Sequence, residues 1–198
     1  MRLQQNNKGE KMTETLKITA MPTPNPNTIK FLLDIRFLEK GSIDFNIEEK
    51  AKGSALPEAL FNVDGIEGVM IGINFVSITK ADSAGWEKVL EPASDIIKDL
   101  CSSDKELFDP ALKEKAETTS SEDNDVIRKI KDVLDNEIRP AIAMDGGDCE
   151  FISYEDAILT LRMQGACSNC PSSVMTLKMG IENRLREEVP DLKEVVQV

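Results

Sequence analysis

Residues 102–123 read SSDKELFDPALKEKAETTSSED, and no single hydrophobic core is expected to run through them. The stretch is polar and charged, and it ends in hydroxyl and acidic side chains. It buries too little apolar surface to offset the entropy of ordering it. Its core, 104–122, is therefore expected to be a flexible acidic linker. The 198 residues then divide into two blocks, 15–103 and 123–198, with 1–14 as a disordered tail. Each block is long enough for one small domain. The expected fold class is α+β, as two small two-layer α+β domains.

In the first block, Leu16–Ala20 is a short strand candidate. The string MPTPNPN (21–27) follows, and its three prolines make it a turn. Thr28–Ile35 alternates Ile29, Phe31 and Leu33, which predicts a strand. Ser54 is expected to cap a helix carrying Leu56, Ala59 and Leu60. GVMIGINFVSITK (68–80) predicts a hairpin. Trp86, Val89, Leu90, Ala93, Ile96, Ile97 and Leu100 recur at helical spacing, with the stable helix expected to begin at Pro92. The second block predicts α-β-β-α-β. A helix capped by Asn124 or Asp125 ends at Pro140. Two strands, Cys149–Ser153 and Ile158–Met163, join near Tyr154–Asp156. A second helix, opened by Pro171, carries Val174, Leu177, Ile181 and Leu185 on one face. Leu192–Val198 is the last strand.

Composition excludes several functions. With 36 acidic against 24 basic residues, the net charge of -12 argues against binding nucleic acid or an anionic membrane. Histidine is absent, which removes Ser-His-Asp and Cys-His nucleophile systems and His-ligated zinc or haem. No apolar run is long enough to span a membrane. The leader MRLQQNNKGEKM lacks a secretory apolar core and is poor in Arg and Ser for a transit peptide, and Met12 offers a second start. A bacterial cytoplasmic location is expected, with the mitochondrial matrix as the alternative.

Four cysteines remain: Cys101, Cys149, Cys167 and Cys170. In GACSNCP (165–171), two residues separate Cys167 from Cys170, so both sulfurs can turn toward one point. Gly165 keeps the approach open, and Pro171 suits a helix N-terminus, whose dipole favours thiolates. Metal binding, a redox dithiol and an inert pair all fit this spacing. Zinc or a [4Fe–4S] cluster needs about four ligands, and one pair supplies two. Two copies meeting across a two-fold axis would complete the set.

DGGD (145–148) ahead of a strand and GACSNCPSS (165–173) opening an amphipathic helix resemble the NifU-like C-terminal domain of the Nfu family. The resemblance covers about residues 124–198. TPNPNTIKF (23–31), LFNVDGIEGVMIGINFVSITK (60–80) and Trp86 ahead of a Pro-containing helix are similar to the Nfu N-terminal domain. This resemblance implies an iron–sulfur cluster scaffold and carrier, not an enzyme. It implies that Cys167 and Cys170 are the metal ligands, holding a [4Fe–4S] cluster between two subunits of a homodimer, with [2Fe–2S] the other candidate. The partners implied are upstream assembly machinery and apo iron–sulfur clients. Such a role needs the cysteine loop exposed enough for thiolate exchange. The family often has an aliphatic residue after DGGD, where this chain has Cys149.

The remaining features are assigned to structure. Cys149 alternates with Phe151 and is expected to be a buried small residue rather than a third ligand. Cys101 is expected to be incidental. DGGD is read as turn chemistry, MPTPNPN as a rigid turn, and Trp86 and Phe75 as core. Met175 and Met179 are assigned to core packing or a dimer face. The rival function is a CxxC dithiol–disulfide oxidoreductase, which predicts a monomer and turnover of a disulfide substrate.

Overall fold

A computed structural model describes residues 16–103, 105–117, 124–168 and 174–198. The expected tail, 1–14, lies outside the described residues. The N-terminal unit is a five-stranded antiparallel sheet: β1 (Ile18–Pro22), β2 (Thr28–Leu33), β3 (Ile43–Phe45), β4 (Ile66–Ile71) and β5 (Phe75–Lys80), in the order β1-β2-β5-β4-β3. Period-2 alternation sorts its residues onto two faces. Phe31, Leu33, Phe45, Val69, Ile71, Val76 and Ile78 form one buried cluster with α1 (Ala55–Phe61) and α2 (Trp86–Cys101). Lys30, Asp44, Met70, Phe75 and Ser77 alternate onto the other face.

Several local expectations need correction. Helix α2 runs unbroken from Trp86 through Pro92, because Val89, Ala93 and Ile97 bury one face on the sheet and tertiary packing outweighs one missing hydrogen bond. Ser54 does not cap α1 through its side chain. It is fully buried, and its Oγ accepts from Asp109 N at 3.1 Å. That bond belongs to a larger correction. Within the expected linker 104–122 lies a helix, α3 (Pro110–Glu117). Phe108 is buried, and Leu107, Leu112 and Ala116 pack on the N-terminal core. Leu56 N donates to Leu107 O at 2.8 Å. Phe108, Leu112 and Ala116 repeat at a spacing of four, an amphipathic stripe diluted by the charges around it. The short strand β3 was also unforeseen.

The C-terminal unit follows the expected α-β-β-α-β order. Asn124 caps α4 (Asp125–Val133), with its Oδ1 accepting from Ile127 N at 2.8 Å. Pro140 does not end this helix. A π-helical turn, Leu134–Ile138, widens the coil, and α5 (Arg139–Met144) continues with Pro140 in its first turn. The wider turn absorbs the donor that proline lacks. Strands β6 (Gly147–Glu155) and β7 (Ile158–Gly165) form an antiparallel hairpin. Asp156 and Ala157 turn it, both at positive φ. After α6 (Val174–Glu188), β8 (Glu194–Gln197) pairs parallel to β7. Parallel pairing needs a crossover, which α6 provides. Ile130, Leu134, Ile142, Leu159, Leu161, Ile181, Leu185 and Val195 fill the core between helices and sheet. Pro171 lies outside the described residues.

Candidate cluster-binding loop

Strand β7 ends at Gly165, which pairs in register with Gly147 at the start of β6. Gly165 takes φ +58 and turns the chain into Ala166, Cys167 and Ser168. Three main-chain bonds close the bend: Ala166 N to Gly146 O at 3.2 Å, Cys167 N to Gln164 O at 3.3 Å and Ser168 N to Gly165 O at 3.2 Å. Ser168 Oγ adds a bond to Gly165 O at 2.8 Å. A Cβ on Gly147 would lie 2.4 Å from Cys167 Sγ, so the missing side chain leaves the space the thiol fills.

DGGD is the cradle of this bend, as its reading as turn chemistry anticipated. Gly146 adopts φ +77, and its carbonyl accepts from Ala166 N and from Ser77 Oγ, the latter at 2.6 Å. Asp148 is 5% exposed and lies in a bidentate pair with Arg139, at 2.8 Å to Nε and 2.6 Å to Nη2. Its Oδ1 also accepts from Cys149 N at 2.8 Å. This carboxylate is committed to holding the turn.

One expectation fails at the site. The cysteine loop was expected to be open, yet Cys167 is only 7% exposed and packs with the C-terminal core. The residues just before it are covered as well. The polar face of the N-terminal sheet lies against the loop rather than in solvent. Asn25 Nδ2 donates to Ala166 O at 3.0 Å, and Gly165 N donates to Asp44 Oδ1 at 3.4 Å. A Cβ on Gly165 would lie 2.7 Å from Met70 Sδ. Sequence reasoning missed Asn25 and Ser77 as partners of the site. The only signal for Asn25 was its place inside TPNPN, which was read as a plain turn.

Cys170 lies outside the described residues. Cys101 ends α2, on the edge of the N-terminal core and away from the loop, and burial pushes its thiol up to about 11. Cys149 is buried on β6, and burial, with the nearby Asp148 charge, pushes its thiol up to about 12. At neutral pH that thiol is protonated, in keeping with its place as a buried packing residue. Among the described residues, no three or more His, Cys, Asp or Glu side chains converge on a point that could hold a metal ion. Trp86 is partly buried and donates from Nε1 to Pro26 O at 3.0 Å. Met179 is exposed, so core packing does not account for it.

The Cys149 shift sets a pH dependence. The folded thiol ionises near 12, whereas an unshielded one ionises near 9. Between these values the unfolded chain has lost the proton that the native chain keeps. This contribution is therefore fully present below pH 9 and is lost as pH rises through 12. It amounts to roughly 4 kcal/mol. Urea titrations from pH 8 to 11 should show stability falling more steeply in the wild type than in Cys149→Ala. Parallel slopes would contradict the burial.

Two family descriptions match the chain. "Scaffold protein Nfu/NifU N terminal" matches residues 18–104, and "NifU-like domain" matches residues 130–196. The chain belongs to the Nfu family. Its Nfu relatives include "NFU1 iron-sulfur cluster scaffold homolog, mitochondrial" of Drosophila persimilis, 38% identical over 182 residues, covering 91% of this chain and 64% of that protein. "NifU-like protein 4, mitochondrial" of Arabidopsis thaliana is 39% identical over 187 residues, covering 92% of this chain and 66% of that protein. This Nfu chain thus spans a little under two thirds of the length of these curated relatives. Among solved structures, the NifU-like protein from Saccharomyces cerevisiae is 22% identical with a TM-score of 0.44, and the match covers 53% of this chain and 94% of that one. The α+β architecture expected for the Nfu family is the one observed.

Proposed function

We propose that this chain is an iron–sulfur cluster scaffold and carrier, not an enzyme. Cys167 and Cys170 of two copies hold one [4Fe–4S] cluster, received from upstream assembly machinery, and pass it to apo-proteins. The observation that carries this reading is the placement of Cys167. A cysteine of the CxxC string sits at a glycine-lined bend, cradled by DGGD, in a chain of the Nfu family. The names of the two relatives describe an iron–sulfur cluster scaffold and a NifU-like protein, which supports the same role. Both names also say mitochondrial, which supports the matrix over the bacterial cytoplasm as the compartment.

The chemistry follows from softness and charge. Thiolates are the ligands that iron–sulfur clusters take, and two per chain leave the set half complete until a second copy arrives. Splitting the ligands between chains lets each copy release its half without unfolding, which suits a donor. Anaerobic reconstitution with iron and sulfide should give a coloured dimer carrying about four irons per two chains. About two irons would make the cargo [2Fe–2S]. Cys167→Ala and Cys170→Ala should each lose iron, colour and the cluster-dependent dimer. A Cys167→Ala protein that still carries a full cluster as a dimer would overturn the assignment. Turnover of a disulfide substrate by an iron-free monomer would point to the oxidoreductase instead.

A further inference from the structure

We propose that the polar face of the N-terminal sheet is a docking surface for this chain's own cysteine loop, and that loading a cluster across two copies requires the loop to leave it. The second half rests on the proposed cluster-bridging role; the first half stands on geometry alone.

The face is built for main-chain recognition. Asn25 is 3% exposed, and its amide is fixed at both ends: Oδ1 accepts from Asn27 N at 3.0 Å, and Nδ2 reaches Ala166 O. Thr23 Oγ1 braces the same turn, accepting from Asn25 N at 3.2 Å. Ser77 is 1% exposed and donates to Gly146 O. Lys30 crosses the Phe75 ring at 4.5 Å and donates from Nζ to Ala143 O at 2.7 Å. Ser42 Oγ donates to Asp148 Oδ2 at 2.5 Å. These contacts fall on Ala143, Gly146 and Asp148 in the cradle, and on Gly165 and Ala166, which lead into Cys167. A sheet that met only water would not bury these polar groups, and each has found its partner on the other unit.

The contact is also made to open. It is polar, it is hydrogen-bonded largely to backbone, and a cleft of about 980 Å³ lined by Ser42, Asp44, Arg139 and Gln164 runs beside it. Contacts of this kind within a chain behave like transient interfaces. Docking removes water from Lys30 and Asp44, which lowers the lysine pKa and raises the carboxyl pKa. Release rehydrates both groups. Cys167 is 7% exposed and packs into the C-terminal core, and the clasp holds Gly165 and Ala166, the two residues before it, so the bend cannot swing the thiol out to a second chain while docked. Docking and cluster bridging are therefore mutually exclusive, and the N-terminal unit sets the fraction of chains competent to load.

The test uses full-length apo protein in a Cys170→Ser background, with maleimide labelling of Cys167 read by mass spectrometry. Adding Asn25→Ala and Ser77→Ala removes two buried bonds and should raise the labelling rate on the order of tenfold to thirtyfold. An unchanged rate would overturn the docking surface. Should that double variant fail to fold, Lys30→Met keeps the aliphatic stem, removes the bond to Ala143 along with the ammonium over the Phe75 ring of its own unit, and should give about a threefold rise. A rate that depends on protein concentration would place a second copy's loop on the face and overturn the intramolecular clasp. A second arm reconstitutes wild-type chain and follows amide hydrogen exchange over residues 23–31. Faster exchange on loading supports release, and undiminished protection of a loaded dimer overturns it. If no cluster loads, the carrier role falls and the release step with it, while the labelling rates still decide the docking.

Discussion

Arg139→Met is expected to cost the C-terminal unit about 3–5 kcal/mol in urea unfolding. The substitution keeps the aliphatic volume and removes the only cation bonded to Asp148 among the described residues. Asp148 cannot escape to water, because it sits under the clasp at the start of β6 and also accepts from Ser42 Oγ. An unpaired carboxylate left in that position bears its full desolvation penalty. Arg139 stays charged throughout. Burial opposes its charge, but the hydrogen bonds and charge of Asp148, seconded by Asp135, outweigh that and hold it above its ordinary pKa. A second substitution, Asp148→Asn, should recover more than half of the loss, since the cost lies in the orphaned charge. A single variant losing under about 1 kcal/mol would show that the pair behaves as a surface ion pair.

Gly165→Ala should be nearly as damaging, at about 2–5 kcal/mol, for two separable reasons. Its φ of +58 is a conformation that costs an L-residue about 1–2 kcal/mol. Its new Cβ would also sit 2.7 Å from Gly146 O and 2.7 Å from Met70 Sδ, and overpacking of that kind adds about 1–3 kcal/mol. The carbonyl is backbone, part of the cradle, and cannot swing aside. Gly53 supplies the control. It takes φ +82, but nothing lies within 4 Å of its added Cβ. Gly53→Ala should therefore show the backbone cost alone. Equal losses at the two positions would mean that the bend tolerates the methyl, and that its close packing is not what fixes Cys167.

Much of this fold was legible because alternation and helical spacing report burial directly. Ile29, Phe31 and Leu33 gave β2 its strand and its core face, and Ile181 and Leu185 gave α6 its buried stripe. What stayed hidden has a common physical origin. Alternation marks Lys30 and Ser77 as polar and so assigns them to solvent, but it cannot say that a second unit lies over them. Phe108, Leu112 and Ala116 were outvoted by the charges between them, although one buried aromatic was enough to fasten α3 to the first core. Pro140 was read by its missing donor, yet a helix can widen by one residue and carry on. At the candidate site, the sequence singled out Cys167, Gly165 and DGGD as candidates, but not Asn25, which lies more than a hundred residues away in the chain and meets the loop only after both units fold.

The donors of Asn25, Ser77 and Lys30 end on the carbonyls of Ala166, Gly146 and Ala143. Such a grip is blind to side-chain identity and senses only the path of the main chain. Positions such as the half-exposed Ala143 can therefore drift in sequence with little effect, while the face that grips them cannot. A chimera joining this N-terminal sheet to a foreign NifU-like unit should still close, provided the foreign bend traces the same curve.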